Sequence, residues 1–189
     1  MRAIVGAAMI LWGAALPSEA AEPEAPHCAL LITSAGTQTS NAKVSQFWAA
    51  IDATVSAGAS EGLAARGLDV RPFEVKMNTK EEQLAAVVKR LDETRCTKVV
   101  QLSRKLEGNG QTTGFSYAVV IFHLERSQYT GGNTVTTVGD YKKQYEFPLT
   151  ADVMRTLKPT DIGTGIAADI DGSGVLDEMK TPLVAKPAA

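Results

Sequence analysis

Four oxygen-bearing side chains near the carboxyl end, Asp169, Asp171, Ser173 and Asp177, occupy the first, third, fifth and ninth places of a run whose twelfth place is Lys180. Calcium takes oxygen ligands, and this spacing, with Gly174 sixth for a sharp turn and the apolar Leu176 eighth, is that of a loop that wraps one ion. The twelfth place needs a Glu that grips the ion with both oxygens, and Lys180 brings a positive charge there instead. The incomplete, EF-hand-like loop is therefore expected to bind Ca²⁺ weakly, in roughly the millimolar range. The same residues also read as a plain Asp/Gly turn in a loosely held tail, with no convincing amphipathic helix ahead of it across Pro159, Gly163 and Gly165. No other cofactor is expected.

The two cysteines, Cys28 and Cys96, each stand where an apolar run begins, ahead of 29–33 and of 99–102. If those runs are parallel neighbouring strands, the two thiols meet at one end of the sheet. The expected disulfide closes a loop of about 70 residues, for which the chain-entropy model gives on the order of 4 kcal/mol. Catalysis has less to build on. The histidines are His27 and His123, no Ser is flanked as in Gly-x-Ser-x-Gly, and no thiol remains once the disulfide forms. His27, in a Pro-containing lead-in, reads as solvated; His123, alternating with Val119 and Ile121, reads as a hydrogen-bonded structural histidine. The hydroxyl-rich run 33–40 would lie at the carboxyl end of the first strand, beside the switch point of an open sheet, where a helix N-terminus can hold an anion. It has neither Gly-x-Gly-x-x-Gly nor a Lys after a Gly-rich turn, so it reads as a polar capping loop. Asp92 and Glu93, beside basic residues, read as a solvated helix face.

The beginning of the chain carries an address. Arg2, an apolar run over 3–16, and Ser18 and Ala20 as small residues at the −3 and −1 places form a secretory leader, with cleavage expected after Ala20. The run is too short to span a bilayer, which takes roughly 20 apolar residues, so no transmembrane segment is expected in the mature chain. The residues before Cys28 lack a lipobox, and the expectation is a soluble, unlipidated periplasmic or secreted protein. The whole sequence is 44% hydrophobic and 21% charged with a formal net charge of −2, a balance that suits one globular core and offers no basic stripe for nucleic acid.

These residues must be held by a recognisable order of elements. Val44, Phe47, Trp48, Ile51, Val55, Ala59 and Leu63 recur at threes and fours, predicting one buried face of a long helix between an N-cap at Ser40 and Gly67. Residues 68–77 predict a short strand that Pro72 confines to an edge. Thr79 and Glu82 form a capping box ahead of a second amphipathic helix with Leu84, Val87, Val88 and Leu91. After Cys96 come strands over 98–106, 115–126 and 134–147, joined by Gly-rich hairpin turns. The middle one is apolar in both alternating sets and is expected to be covered on both faces. The last has Tyr141, Lys143, Tyr145 and Phe147 on one face and Lys142, Gln144 and Glu146 on a wet one.

Right-handed crossovers then give an α/β fold, a three-layer-like mixed sheet of order 2-1-3-4-5 built as βαβαβββ, with a C-terminal helix and flexible tail. The expected division is a leader over 1–20, one α/β domain over 21–157, and a partly disordered extension over 158–189. In element order over 28–157, and in such local patterns as 63–70 leading out of the first helix, the chain resembles the periplasmic α/β domains of the TolB N-terminal, LpoB and CsgG type. It departs from them in lacking a lipobox and any segment for a transmembrane barrel hairpin. The resemblance implies a noncatalytic binding or envelope-assembly role, with another envelope protein as partner. The alternatives are a weak calcium-binding exported protein and a hydrolase with an unrecognised site.

Overall fold

The computed structural model describes residues 28–34, 41–75, 79–108, 113–129 and 132–180. The leader, its cleavage site, His27, most of the 33–40 run and the tail beyond Lys180 lie outside the described residues. Strand β1 (Cys28–Ser34) opens on an apolar run of five residues that is buried throughout, as a strand covered on both faces must be. Helix α1 (Ala42–Ala64) starts at Asn41 instead of the expected Ser40, because the Asn41 side chain accepts from the backbone N–H of Lys43 and Val44 at 3.0 and 3.4 Å. β2 (Asp69–Val75) carries Pro72, and α2 (Lys80–Thr94) opens on the reciprocal capping box of Thr79 and Glu82. β3 (Lys98–Glu107), β4 (Gly114–Tyr129) and β5 (Gly132–Pro148) follow, then the short α3 (Ala151–Thr156) and α4 (Pro159–Gly172).

The five strands form one sheet in the order β2-β1-β3-β4-β5. β1 runs parallel to both β2 and β3, and β4 and β5 continue antiparallel. Pro72 therefore sits on an edge strand, where its missing N–H costs no ladder hydrogen bond. Alternation splits the core into two clusters. Ala29, Leu31, Val100, Leu102, Tyr117, Val119 and Ile121 face α1 and α4, while Leu30, Ile32, Val99 and Phe122 face α2 with its Val87 and Leu91. The result is helix, sheet, helix in three layers.

The expected C-terminal helix is present as α4, and it is packed on the domain. Pro159 is the first residue of α4, where its ring fits and its absent N–H is not missed. The helix continues through Gly163 and Gly165 and buries Ile162, Ile166, Ala167 and Ile170 against α1. Gly163 reads as a helix weakener by propensity, yet a Cβ there would lie 2.2 Å from the Val55 carbonyl oxygen and 2.6 Å from the Ala59 nitrogen. Gly58, opposite, would place its Cβ 2.6 Å from the Thr160 carbonyl oxygen. The glycines let two helix backbones touch, and tertiary packing outweighs local propensity. Leu176 and Met179, in the turns after α4, are also buried, so the core extends to the end of the described chain.

One irregularity shapes the last strand. Ile121 pairs with Tyr141 while Phe122 pairs with Gly139, so Asp140 is an extra residue, a β-bulge in β5. Upstream of it Thr137 and Gly139 lie on the α2 side opposite Leu124 and Phe122; downstream Tyr141, Tyr145 and Phe147 pack on the α1/α4 side.

Candidate functional site

The two faces of the sheet are unequally covered. Among the described residues, two long helices shield one face and α2 alone lies on the other, over the β2, β1 and β3 side. The expectation that β4 is covered on both faces is met fully on one side and in part on the other: Tyr117, Val119 and Ile121 are fully buried, and on the α2 side Ser116 and Phe122 are buried while Val120 is only partly buried. Several concavities lie between α2 and the β4–β5 hairpin, and two of them flank Leu84. One, of about 430 Å³, is floored by Ile32, Val120 and Phe122 and walled by Leu84 and Val87; the other, of about 660 Å³, lies between Leu84, Ala85 and Val88 of α2 and Val135 of β5. Leu84 is shared by both and is exposed. The floor is mainly apolar, with Ser34, Gln101 and Thr137 among its residues, and charge stands at the rim, where Glu81, Asp92 and Glu93 meet Lys80 and Lys89, Glu93 being paired with Lys89 and Arg90. Asp92 reaches across to Arg126 of β4 and closes the far end. Asp92 and Glu93, read from sequence as a plain solvated face, thus border the concave surface.

A second cluster ties the lower end of the sheet. Lys98 Nζ lies 2.9 Å from Glu178 and 3.5 Å from Asp140, and it donates to the Val175 carbonyl oxygen at 3.3 Å. Burial opposes the lysine's charge, yet the Glu178 and Asp140 carboxylates prevail and hold its pKa above the ordinary value. An ammonium kept charged in this way acts as a clamp between β3, the β5 bulge and the turn after α4. His123 Nδ1 is 3.0 Å from the same Asp140, the hydrogen-bonded place expected of it.

A third group was not signalled by any motif. Asp52 of α1 accepts from Arg104 Nε at 2.9 Å and from the Tyr117 hydroxyl at 2.7 Å, all three side chains being buried. The Arg104 guanidinium also lies over the Trp48 ring, 4.7 Å from its centroid. Burial, and then the Asp52 carboxylate, push the Tyr117 hydroxyl far above its usual pKa, so it stays a donor. Removing one partner of such a buried pair costs on the order of 3–5 kcal/mol, which marks the group as a lock between α1 and the sheet. The sequence did hold a trace of it. Asp52 stands four residues after Trp48 inside the apolar stripe, and Arg104 alternates with Val100 and Leu102 on a buried face.

The cysteines are where the sequence puts them. Cys28 and Cys96 form a disulfide with Cα atoms 4.6 Å apart, at the adjoining starts of the parallel strands β1 and β3. The carboxylate run is arranged differently from an ion loop. Asp169 and Asp171 lie in the last turn of α4, not in a loop, and Asp177 opens a 3-10 turn. Lysines meet them: Lys143 Nζ is 2.6 Å from Asp169, and Lys180 Nζ is 2.9 Å from Asp171 and 2.6 Å from Asp177. The Lys143 contact holds Asp169 below the usual carboxylate range, and Asp177 and Asp171 raise Lys180. Ser173 Oγ donates to the Ile170 carbonyl oxygen at 2.6 Å, turned toward the helix end. Gly174 does take the left-handed turn the spacing required, with φ +70. Among the described residues no group of three or more His, Cys, Asp or Glu side chains is placed to hold a metal ion. The four candidates therefore share a neighbourhood without converging on one point.

No family model matches the chain, and no curated protein matches it significantly. Among solved structures, a single-substitution form of PelC from Paraburkholderia phytofirmans, a dodecamer, aligns over 82% of this chain and 91% of its own at 10% identity and TM-score 0.37. PelC in a second crystal form aligns over 82% and 88% at 11% identity and TM-score 0.36. A protein from Helicobacter pylori described as a homologue of neuraminyllactose-binding hemagglutinin aligns over 84% and 92% at 10% identity and TM-score 0.35. Likenesses this distant carry no argument about function.

Proposed function

We propose that this chain is an exported, noncatalytic binding or envelope-assembly protein, and that the gap between α2 and the β4–β5 hairpin is its binding surface. The observation that supports this reading is the sheet face that the described residues leave partly uncovered. A three-layer fold stabilises itself by burying both faces, and here the apolar floor of Val120 and Phe122 and the flank of α2 stop short of each other, leaving the groove between them. A partner segment that fills the gap would take the remaining exposed surface of Leu84, Val88 and Val135 out of water, a third or so of the about 1.5–3 kcal/mol that full burial of such a side chain is worth. The leader pattern of residues 1–20, the disulfide, and the absence among the described residues of a helix long and apolar enough to cross a membrane are compatible with work outside the cytoplasm. The resemblance in element order to TolB-, LpoB- and CsgG-type domains is in keeping with this reading.

The test is site-specific crosslinking in cells of the native host, from a photoreactive residue at Ala85. Specific adducts are expected, with at least a tenfold loss when Val120→Lys places a charge on the groove floor. Adducts that ignore Val120→Lys, or none at all, overturn the reading.

A further inference from the structure

Val44 and Phe47, expected on the buried face of α1, are exposed in the structure, and so is Leu84 of α2. Leu84 differs from the other two in overhanging a concave space. The chamber behind it, of about 430 Å³, is lined by the apolar Ile32, Val75, Val87, Val120 and Phe122 and by the polar Ser34, Gln101, Thr137 and Lys80. From this lining we infer that the chamber binds a small single-chain carboxylic acid, its apolar body against Val120 and Phe122 and its carboxylate beside Lys80 and Gln101. The inference goes beyond the partner surface proposed above, because it concerns the space behind Leu84 and leaves the open side at Val88 and Val135 to the partner.

The polar groups are gathered at one end. α2 runs back against the parallel strands: Thr94 in its last turn meets Cys28 at the start of β1, whereas Lys80 in its first turn shares the chamber with Ser34 at the carboxyl end of β1. From β1 the chain crosses to β2 on one side and then returns to β3 on the other, so the carboxyl ends of β1 and β3 mark the place where the strand order reverses. Open α/β sheets hold their ligands at that place. There Gln101 Nε2 donates to Ser103 Oγ at 3.4 Å, the Ser103 and Ser34 hydroxyls lie 2.7 Å apart, and Ser34 donates to the Leu102 carbonyl oxygen at 3.3 Å. Both hydroxyls are engaged within this chain, and the second N–H of the Gln101 amide is left for a ligand. Lys80, exposed at the edge of the chamber, has no ion pair among the described residues. An amide N–H and an ammonium over an apolar floor match a carboxylate on an apolar chain.

Gly139 of β5 is an independent sign that the space is meant to stay open. A glycine weakens a strand, and this one does not take the left-handed backbone that would call for it. Nor does packing demand it, since a Cβ there would meet nothing within 4 Å. What its missing side chain does is widen the chamber, which Gly139 lines opposite Phe122. At roughly 30 Å³ for each water-sized group the space suits about fourteen such groups, the size of a ten-carbon acid and too small for a two-chain lipid.

The experiment is calorimetric titration of the mature protein, purified from the periplasm and stripped of bound lipid, with decanoate below its micelle concentration. Decylamine serves as the chain of equal length and opposite charge. The wild type is expected to bind one equivalent of decanoate at least tenfold more tightly than decylamine, and Lys80→Gln should cut that preference at least threefold with unchanged thermal unfolding. Gly139→Phe fills the chamber and should weaken decanoate at least tenfold; Gly139→Val, a smaller plug for a strand position, should do so at least threefold if the ring disturbs the fold. No heat from decanoate, undiminished binding in both Gly139 variants, or equal affinity for the two chains each overturns the inference. If decanoate fails to bind while the Ala85 crosslink stays sensitive to Val120→Lys, the partner surface stands and the chamber's ligand falls. If decanoate binds as expected while the crosslink fails, the chamber stands without the partner.

Discussion

Lys180 supplies with its own ammonium the positive charge that a calcium ion would have supplied, bridging Asp171 and Asp177 at 2.9 and 2.6 Å. The spacing of oxygen ligands was legible in the sequence, and so was the misfit at the twelfth place. What the sequence did not show is that the misfit is the partner. Exchanging Lys180→Glu removes the cation shared by Asp171 and Asp177 and adds a third carboxylate, with Arg66 left beside Asp171, so the variant should unfold at lower temperature than the wild type in chelator and regain the loss in millimolar Ca²⁺. The wild type should show no calorimetric heat with Ca²⁺ under the same conditions. A wild-type heat that disappears in Asp169→Ala would instead make the run an ion site as it stands. Asp52 and Arg104 teach the opposite lesson, since each was visible as a charge interrupting an apolar period, but a period assigns a face and cannot tell which charge on another element meets it.

At the level of elements, the helices and strands up to Phe147 follow from caps, periods and turns, all of which are local. The capping box of α2, the edge position of β2 and the hairpins needed no distant information. The C-terminal helix was expected, but the bounds and packing of α4 were not legible, for the converse reason: its glycines lower helix propensity, and their value appears only against the backbone of α1. Two neighbouring glycines separate the effects. Gly163→Ala drives a methyl into the Val55 carbonyl and should destabilise the protein by about 1–3 kcal/mol, as an overpacked contact does. A methyl on Gly165 would meet nothing within 4 Å, so Gly165→Ala should stabilise the helix by about 0.5–1 kcal/mol. Denaturant unfolding of the two variants measures both. Equal effects would mean that α1 and α4 do not touch at Gly163.

For the whole molecule, the sheet order followed from the right hand of βαβ crossovers and the turns between the last three strands, rules that hold whatever the side chains do. The uncovered part of the α2 face did not follow, because the apolar alternation of β4 is the same whether its cover comes from this chain or from another. The disulfide spans the architecture at one point, joining residues 68 apart at the base of the two central parallel strands. Alkylation of the native protein should add no label, reduction should add two, and the reduced form should lose on the order of 4 kcal/mol, about 10 °C in Tm for a domain of this size. Two labels without reduction would remove the link. The bulge at Asp140 has a wider consequence. Because it shifts β5 by one residue, odd-numbered positions upstream of it look toward the groove and odd-numbered positions downstream look into the core. The strand is in effect written in two reading frames, so its distal half can drift to suit a new partner while the tyrosines of its proximal half keep their places in the interior.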